Sequence, residues 1–259
     1  MRTYKLTIAY DGSRYRGWQR QPDTELTIQG ILEHTLLEQQ GYGIEVNGSG
    51  RTDGGVHAEA QTASIQLPGK VQEAEFCREW NQRLPGDIRI QDMELVKNGF
   101  HARYSAKGKR YEYRIDLREK ADVFTRKYTY HFPEKPDQNA MRRAADFLIG
   151  KHNFAAFTDR NEEQSTVRTI YDIQMQYRAD GEREKKLSIL YDGNGFMYHM
   201  VRILTGTLLE VGIGKRTPEE TAVLLDHGER RQAGFLAPAC GLTLKEVYYE
   251  NQDGFRKDV

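Results

Sequence analysis

Apolar and polar residues alternate through the opening segment MRTYKLTIAY, and this strand signal over residues 3–10 ends in the turn YDGSRYRG. The period then changes. Ile28, Ile31, Leu32 and Leu36 recur at helical spacing, which predicts an amphipathic helix over 28–40. Strand-like runs near 43–48 and 60–67 follow, and the stretch SGRTDGGVHAEAQ (49–61) links them. A helix near 73–84 places Phe76, Trp80 and Leu84 on one face, four residues apart. Strands are predicted near 88–97 and 109–117, the second with clean alternation in RYEYRIDL. Next comes a helix over 137–149, with Asp137 as its N-cap. Strands near 167–177 and 186–192, a helix near 196–212, a short helix opening at TPEE (217–220) and a strand at 242–250 complete the chain. Strands and helices mix without regular βαβ alternation, which predicts an α+β fold with a largely antiparallel sheet.

One pattern occurs twice. KLTIAYDG (5–12) and KLSILYDG (186–193) agree at six of eight positions, and each leads through an aromatic-rich turn into a helix. Two related halves would explain the echo, with chance similarity of two short strands as the alternative. The linker-like RYSAKGKR (103–110) marks the boundary, giving an N-terminal half at 1–105 and a C-terminal half at 106–259.

Composition changes this picture little. The chain has 259 residues, 38% hydrophobic and 29% charged, which suits a folded protein rather than a disordered one. No run approaches the roughly 20 apolar residues of a membrane helix, and the start lacks the apolar run of a signal peptide. Cys77 and Cys240 lie far apart without metal-ligand spacing and read as reduced thiols of a cytoplasmic protein.

Charge matters more through its distribution. The net charge is zero, yet residues 97–110 hold five Lys or Arg and no acid. Residues 1–20 hold five Lys or Arg against one Asp, and residues 21–45 hold five acids and no Lys or Arg. A balanced total can therefore contain a basic face able to meet a phosphate backbone.

Three stretches could carry chemistry. In the first, the dinucleotide fingerprint fails because the glycine required after Gly48 and Gly50 is Asp53. A P-loop fails because Val56 and His57 follow Gly55 where Lys and Ser or Thr are needed. A metal site on Asp53 and His57 lacks further ligands at a recognised spacing. Two readings of Asp53 stand side by side: a carboxylate held outward by flexible glycines, or a turn residue bonding nearby N–H groups. Arg51 reads either as a surface ion pair or as a group for phosphate or a base. In the second stretch, KGKRYEYRI (107–115), alternation places Tyr111 and Tyr113 on one side of a strand. They read as core aromatics or, for one ring, as the wall of a base-sized pocket. In the third, GNGFMYHMVRILTGTLLEVG (193–212), Arg202 is the only Lys, Arg, Asp or Glu between Asp192 and Glu210. An arginine in so apolar a helix needs a partner, and Asp53 is an available one.

Together these stretches resemble the TruA family of tRNA pseudouridine synthases, nearly end to end. AYDGSRYRGWQRQP is similar to the family's opening segment, GSGRTDGGVHAEAQ to its catalytic loop and FHARYSAKGKRYEYRI to the segment carrying its active-site tyrosine. GFMYHMVRILTGTLLEVGIGK and APACGLTL resemble its third motif and C-terminal signature. The resemblance implies the pseudouridine synthase fold, with two similar α/β halves sharing a mostly antiparallel sheet and a central active-site cleft. It implies isomerisation of uridine at positions 38, 39 and 40 of the tRNA anticodon stem-loop by a homodimer with no metal or organic cofactor. It also implies that Asp53 is the catalytic aspartate and that Arg51 helps displace the target base. Tyr111 would stack on the uracil, as a candidate for removing the C5 proton, and Arg202 would pair with the carboxylate. His57, beside the loop, is a further candidate substrate-binding residue. Other classes fit less well. A non-catalytic RNA-binding protein on this fold would have no need of Asp53, and an aspartic protease wants Thr or Ser between Asp and Gly, where both YDG stretches have none.

Overall fold

The computed structural model describes residues 1–159, 165–180 and 183–250, with side chains for all of these except 179–180 and 183–185. In chain order the elements are β1 (Arg2–Tyr10), α1 (Ile28–Gln40), β2 (Asn47–Gly48), β3 (His57–Leu67), α2 (Glu73–Arg83), β4 (Ile88–Val96), β5 (Gly108–Asp116) and β6 (Tyr130–His131). Then come α3 (Gln138–Leu148), β7 (Gly150–Asn153), β8 (Val167–Asp180), β9 (Arg183–Gly193), α4 (Met200–Gly212), α5 (Pro218–His227) and β10 (Leu242–Tyr248). The class is α+β. Among the described pairings only β10 with β3 and β6 with β5 run parallel. No described helix is long and apolar enough to cross a membrane.

The chain divides into two compact units, the first comprising residues 1–107 and 243–250. Its sheet is built on β1, which pairs antiparallel with β3 on one side and β4 on the other. The predicted alternation is realised here: Tyr4, Leu6, Ile8 and Tyr10 are all buried. Thr27 caps α1 by accepting a bond from the Gly30 N–H, and Gly41 ends it in the left-handed region at φ 76°. α2 packs against α1 and β4, where Trp80 is fully buried, donates to Thr35 Oγ1 at 2.9 Å and meets Phe76 edge-on. The last strand, β10, lies beside β3, with Thr243 opposite His57. Cys77 is half-buried on α2, and burial, reinforced by Asp92 and Glu73, pushes its thiol up to about 11.

The second unit covers residues 108–242. β5, β9, β8 and β7 form an antiparallel sheet in that order. Tyr113, Ile115, Leu187, Ile189 and Tyr191 are buried within it, while α3 packs against α4, α5 and β8. Asp137 caps α3 as expected, accepting from the Asn139 and Ala140 N–H groups. α5 opens with Pro218 at its first position and a capping box between Thr217 and Glu220. α4 differs from expectation by starting at Met200 rather than near 196. The cause is His199, at φ 63° the one described non-glycine residue with a positive φ, which forces a turn where helical periodicity had already begun.

The repeated octapeptide forms β1 and its exit in the first unit and β9 in the second, and it does the same local work in each. Tyr10 and Tyr191 are both buried, and each hydroxyl meets a threonine hydroxyl, Thr52 at 2.8 Å and Thr205 at 2.9 Å. Gly12 and Gly193 each face a backbone carbonyl so closely that a Cβ would collide, with Val56 in one case and Thr169 in the other.

Candidate active site

In the first unit the stretch 49–56 joins β2 to β3 as a loop clamped on both sides. Asp53 O accepts from the Val56 N–H at 3.2 Å, and Gly55, third in this four-residue turn, has φ 82°. That is the conformation a type II turn demands at that place, so Gly55 is there for the turn. The 12–18 segment grips the loop from outside: Trp18 N donates to Thr52 O at 3.0 Å and Gly55 N to Tyr15 O at 3.2 Å. Gly17, at φ 100°, passes so close that a Cβ would sit 2.6 Å from Thr52 O. At the loop's entry, Ser49 Oγ bonds Gln61 Oε1 at 2.7 Å, and Gln61 Nε2 donates to Gly50 O at 3.1 Å.

Thr52 is buried, its hydroxyl against Tyr10, between two less buried neighbours. Arg51 is exposed and Asp53 half-buried. Arg51 Nε donates to Gln19 Oε1 at 3.0 Å, and Gln19 is itself held by Gln29 at 2.8 Å. A cation and a carboxylate are thus presented together from one buried anchor. Removing that anchor should be costly. Thr52→Val leaves a buried phenol without this partner, with an expected loss of about 1–2 kcal/mol of stability and a lower turnover. Urea unfolding beside an activity assay would read both.

His57 is the first residue of β3 and is buried. Its Nδ1 lies 3.1 Å from the Gly12 N–H and 3.2 Å from Asp11 Oδ1. The ring therefore fastens the 11–12 turn to the loop's exit.

In the second unit β5 places Tyr111 and Tyr113 on the same side, as alternation predicts, and structure separates their roles. Tyr113 is fully buried, its hydroxyl donates to Pro238 O at 2.6 Å, and burial pushes the phenol far above its ordinary range. It is a core aromatic. Tyr111 keeps 7% exposure and meets Phe196 edge-to-face at 5.3 Å, so the two rings form an aromatic corner. Arg110, on the opposite side of the strand, makes a forked ion pair with the buried Asp192.

Arg202 lies in the first turn of α4, half-buried, and its Nε donates to Ala237 O at 2.7 Å. The 233–238 segment runs along α4 so closely that Gly206 leaves no space for a side chain. A second anchor was not foreseen from the sequence. His199, immediately before α4, bonds Asp159 at 2.5 Å, and Asp159 also receives Arg230 Nε at 2.5 Å. Partial burial alone would raise the Asp159 carboxyl, but the bonds from His199 and Arg230 hold it below its ordinary value. Arg230 in turn donates to Gly234 O, within the segment that meets Arg202. The aromatic run before α4 was a visible signal, but its partners at 159 and 230 carried none. Among the described residues no group of three or more His, Cys, Asp or Glu is placed to hold a metal ion.

A half-buried carboxylate beside a tight turn, with an exposed arginine two residues before it, is the candidate site on this α+β scaffold. The sequence profile of the tRNA pseudouridine synthases matches residues 6–105 and 144–250. The chain belongs to this family, the TruA family of isomerases that convert uridine to pseudouridine. A protein called tRNA pseudouridine synthase A from Bacillus sp. (strain KSM-64) is 41% identical over 250 residues, covering 96% of this chain and all of that one. Its namesake from Latilactobacillus sakei (strain 23K) is 41% identical over 249 residues, covering 95% of this chain and 98% of its own. A tRNA pseudouridine synthase A 2 from Bacillus cereus (strain ZK / E33L) is 40% identical over 250 residues, covering 96% of this chain and all of its own. Among solved structures, a dye-decolorizing protein from V. cholerae aligns over 95% of this chain and 91% of its own. Its 9% identity and TM-score of 0.19 carry no argument.

Proposed function

We propose that this protein isomerises uridine to pseudouridine at positions 38, 39 and 40 of the tRNA anticodon stem-loop. It does so in the cytoplasm as a homodimer, with Asp53 as the essential catalytic residue and without metal or organic cofactor. The observation that carries this is the placement of an exposed Arg51 and a half-buried Asp53 on either side of the buried Thr52.

The chemistry explains the residue types. A stacked uridine is out of reach, so the base must be flipped at a cost of about a few kcal/mol. Arg51, steadied by Gln19, is suited to fill the vacated space and to bond phosphate. The N1–C1′ bond then breaks, the uracil rotates, and C5 joins C1′. The Asp53 carboxylate serves this by adding to C1′ or C6, or by taking a sugar proton to give a glycal. Tyr111 stacks on the detached uracil, with Phe196 bracing the ring, and a base must then remove the C5 proton. The pairing of Arg202 with the catalytic carboxylate is proposed from the family resemblance alone; within its own unit Arg202 Nε donates to Ala237 O. His57 serves substrate binding indirectly, by holding the loop that carries Arg51 and Asp53.

Incubation with an unmodified tRNA transcript, followed by carbodiimide mapping, tests the activity and its positions together. New stops are expected at uridines 38 to 40. A tRNA left unmodified throughout the anticodon arm by a folded dimer would refute the assignment.

A further inference from the structure

Arg51 is exposed, and an exposed arginine ordinarily keeps its full rotamer freedom. Here a chain of side chains runs from it into the first unit and ends on α1. Arg51 Nε donates to Gln19 Oε1 at 3.0 Å, Gln19 Nε2 to Gln29 Oε1 at 2.8 Å, and Gln29 Nε2 to Glu33 Oε1 at 3.0 Å. Gln29 is buried and Gln19 half-buried. Gln29 and Glu33 stand one turn apart on α1, so their side chains share a face. Val46, just before β2, offers both of its backbone groups to that pair. Its carbonyl accepts from Gln29 Nε2 at 3.3 Å, and its N–H donates to Glu33 Oε1 at 3.1 Å.

The polarity of the chain is dictated from its inner end. The Val46 carbonyl and the Glu33 carboxylate only accept, so Gln29 must turn its NH2 group toward them and its oxygen away. That oxygen takes Gln19 Nε2 and also the Arg20 N–H at 3.1 Å. Gln19 is thereby left with its oxygen toward Arg51, and an acceptor is what a guanidinium needs. An amide turned round at either glutamine would set oxygen against oxygen or donor against donor. Glu33 belongs to the acid-rich stretch 21–45, and its second oxygen accepts from Arg20 Nη1 at 3.1 Å.

We infer that Gln29 and Glu33 are positioning residues of the reaction, which act through Gln19 to hold the Arg51 guanidinium in one place. Part of the ordering that Arg51 must undergo to fill the space left by the target base is then complete before the RNA arrives. This rests on the proposed role of Arg51 and deepens it, because it gives two residues of α1 a task in the chemistry.

The test compares single-turnover pseudouridine formation with equilibrium binding of a tRNA transcript by the full-length protein. Gln19→Met and Gln29→Met, close in shape to the parent residues, are made alone, together and with Arg51→Ala. Gln19→Met should slow the reaction on saturating tRNA by about 3- to 150-fold, the span of coupling between directly bonded groups. Its tRNA affinity should stay within about twofold of the parent, because the charge of Arg51 is kept. Gln29→Met should reproduce the loss, and the pair should be no slower than either alone, since both cut the same chain. In the Arg51→Ala background neither should slow the reaction further. Glu33→Ala should fall with them and Glu33→Gln should recover part of the loss, because an amide oxygen can replace Oε1 for Gln29 and Val46. Gln29→Met strands the Val46 carbonyl and should melt below the parent, so rates are taken well under its midpoint; Gln19→Met should melt close to the parent. A readout free of the reaction is the Arg51 Nε–H in the unbound protein, whose protection against exchange with water should be lost in Gln19→Met and Gln29→Met. A parental rate for Gln19→Met would overturn the inference. Equal slowing by Gln19→Met with and without Arg51 would overturn it too, by giving the glutamine a task of its own. A parent that makes no pseudouridine, yet loses Arg51 protection in Gln29→Met, would sink the proposed reaction and leave the hold on Arg51 standing.

Discussion

Asp53→Ala and Asp53→Asn should each reduce pseudouridine formation by about 10³-fold or more while leaving tRNA binding almost unchanged. The magnitude follows from removing a group that must attack carbon or accept a proton, a contribution of about 10²–10⁴-fold even for proton transfer alone. Asparagine keeps the shape and removes the charge, so a loss shared by both variants locates the function in the carboxylate. The fold should tolerate either change. The turn is closed by the Asp53 carbonyl and the Val56 N–H, not by the side chain, and the anchor is the neighbouring Thr52. Losing one negative charge from a surface that meets a polyanion should leave affinity the same or slightly tighter. Single-turnover rates and binding constants on one tRNA transcript separate the two effects, with kcat falling and KM steady. Wild-type turnover in the alanine variant would remove Asp53 from the mechanism. A parallel collapse of tRNA affinity would assign it to binding.

Much of this was legible in local pattern. α1 and α2 came from spacing alone, and α3 came with its cap, because Asp137 acts within a turn of the helix it bounds. The alternation of β1 and β5 was equally clear, since each buries one face. Boundaries failed where a distant contact overrides the pattern. The strand expected near 43–48 shrinks to Asn47–Gly48, and the one expected from 60 begins at His57, whose ring is held by the 11–12 turn. The start of α4 was misread because a histidine in the left-handed region gives no signature in sequence. The short strands β6 and β7 lack enough residues to show a period. For the candidate site, residue types were readable but their supports were not. Tyr111 and Tyr113 are indistinguishable by alternation, and only the bond from Tyr113 to Pro238, 125 positions away, marks it as core. The apolar surroundings of Arg202 showed that it needs a partner, but Ala237 is a backbone acceptor, and every residue has one of those.

That dependence on Ala237 makes Gly206→Ala the substitution expected to damage the second unit most. The added Cβ would stand 1.9 Å from the Phe235 carbonyl oxygen and 3.3 Å from the Phe235 ring, so backbone, not a pliable side-chain end, must move. The 233–238 segment that has to shift carries several hydrogen bonds, three of them buried or part-buried contacts to β5 and α4. Gly234 N donates to Thr207 Oγ1, Ala237 O accepts from Arg202, and Pro238 O accepts from Tyr113. Helix propensity favours alanine over glycine by about 1 kcal/mol at most, whereas overpacking costs about 1–3 kcal/mol and here disturbs buried hydrogen bonds as well. The clash therefore wins, with an expected net loss of about 3 kcal/mol and a fall in the melting midpoint of about 6–12 °C for a domain of this size. Gly195→Ala, where nothing lies within 4 Å of the new carbon, serves as the control and should stay near the parent. If Arg202 is the catalytic carboxylate's partner, the folded fraction of Gly206→Ala should also turn over more slowly, because the carbonyl that aims its guanidinium has moved. Gly206→Ala with the parent's midpoint and turnover would show that the segment yields without cost, and that the direction of Arg202 does not depend on it.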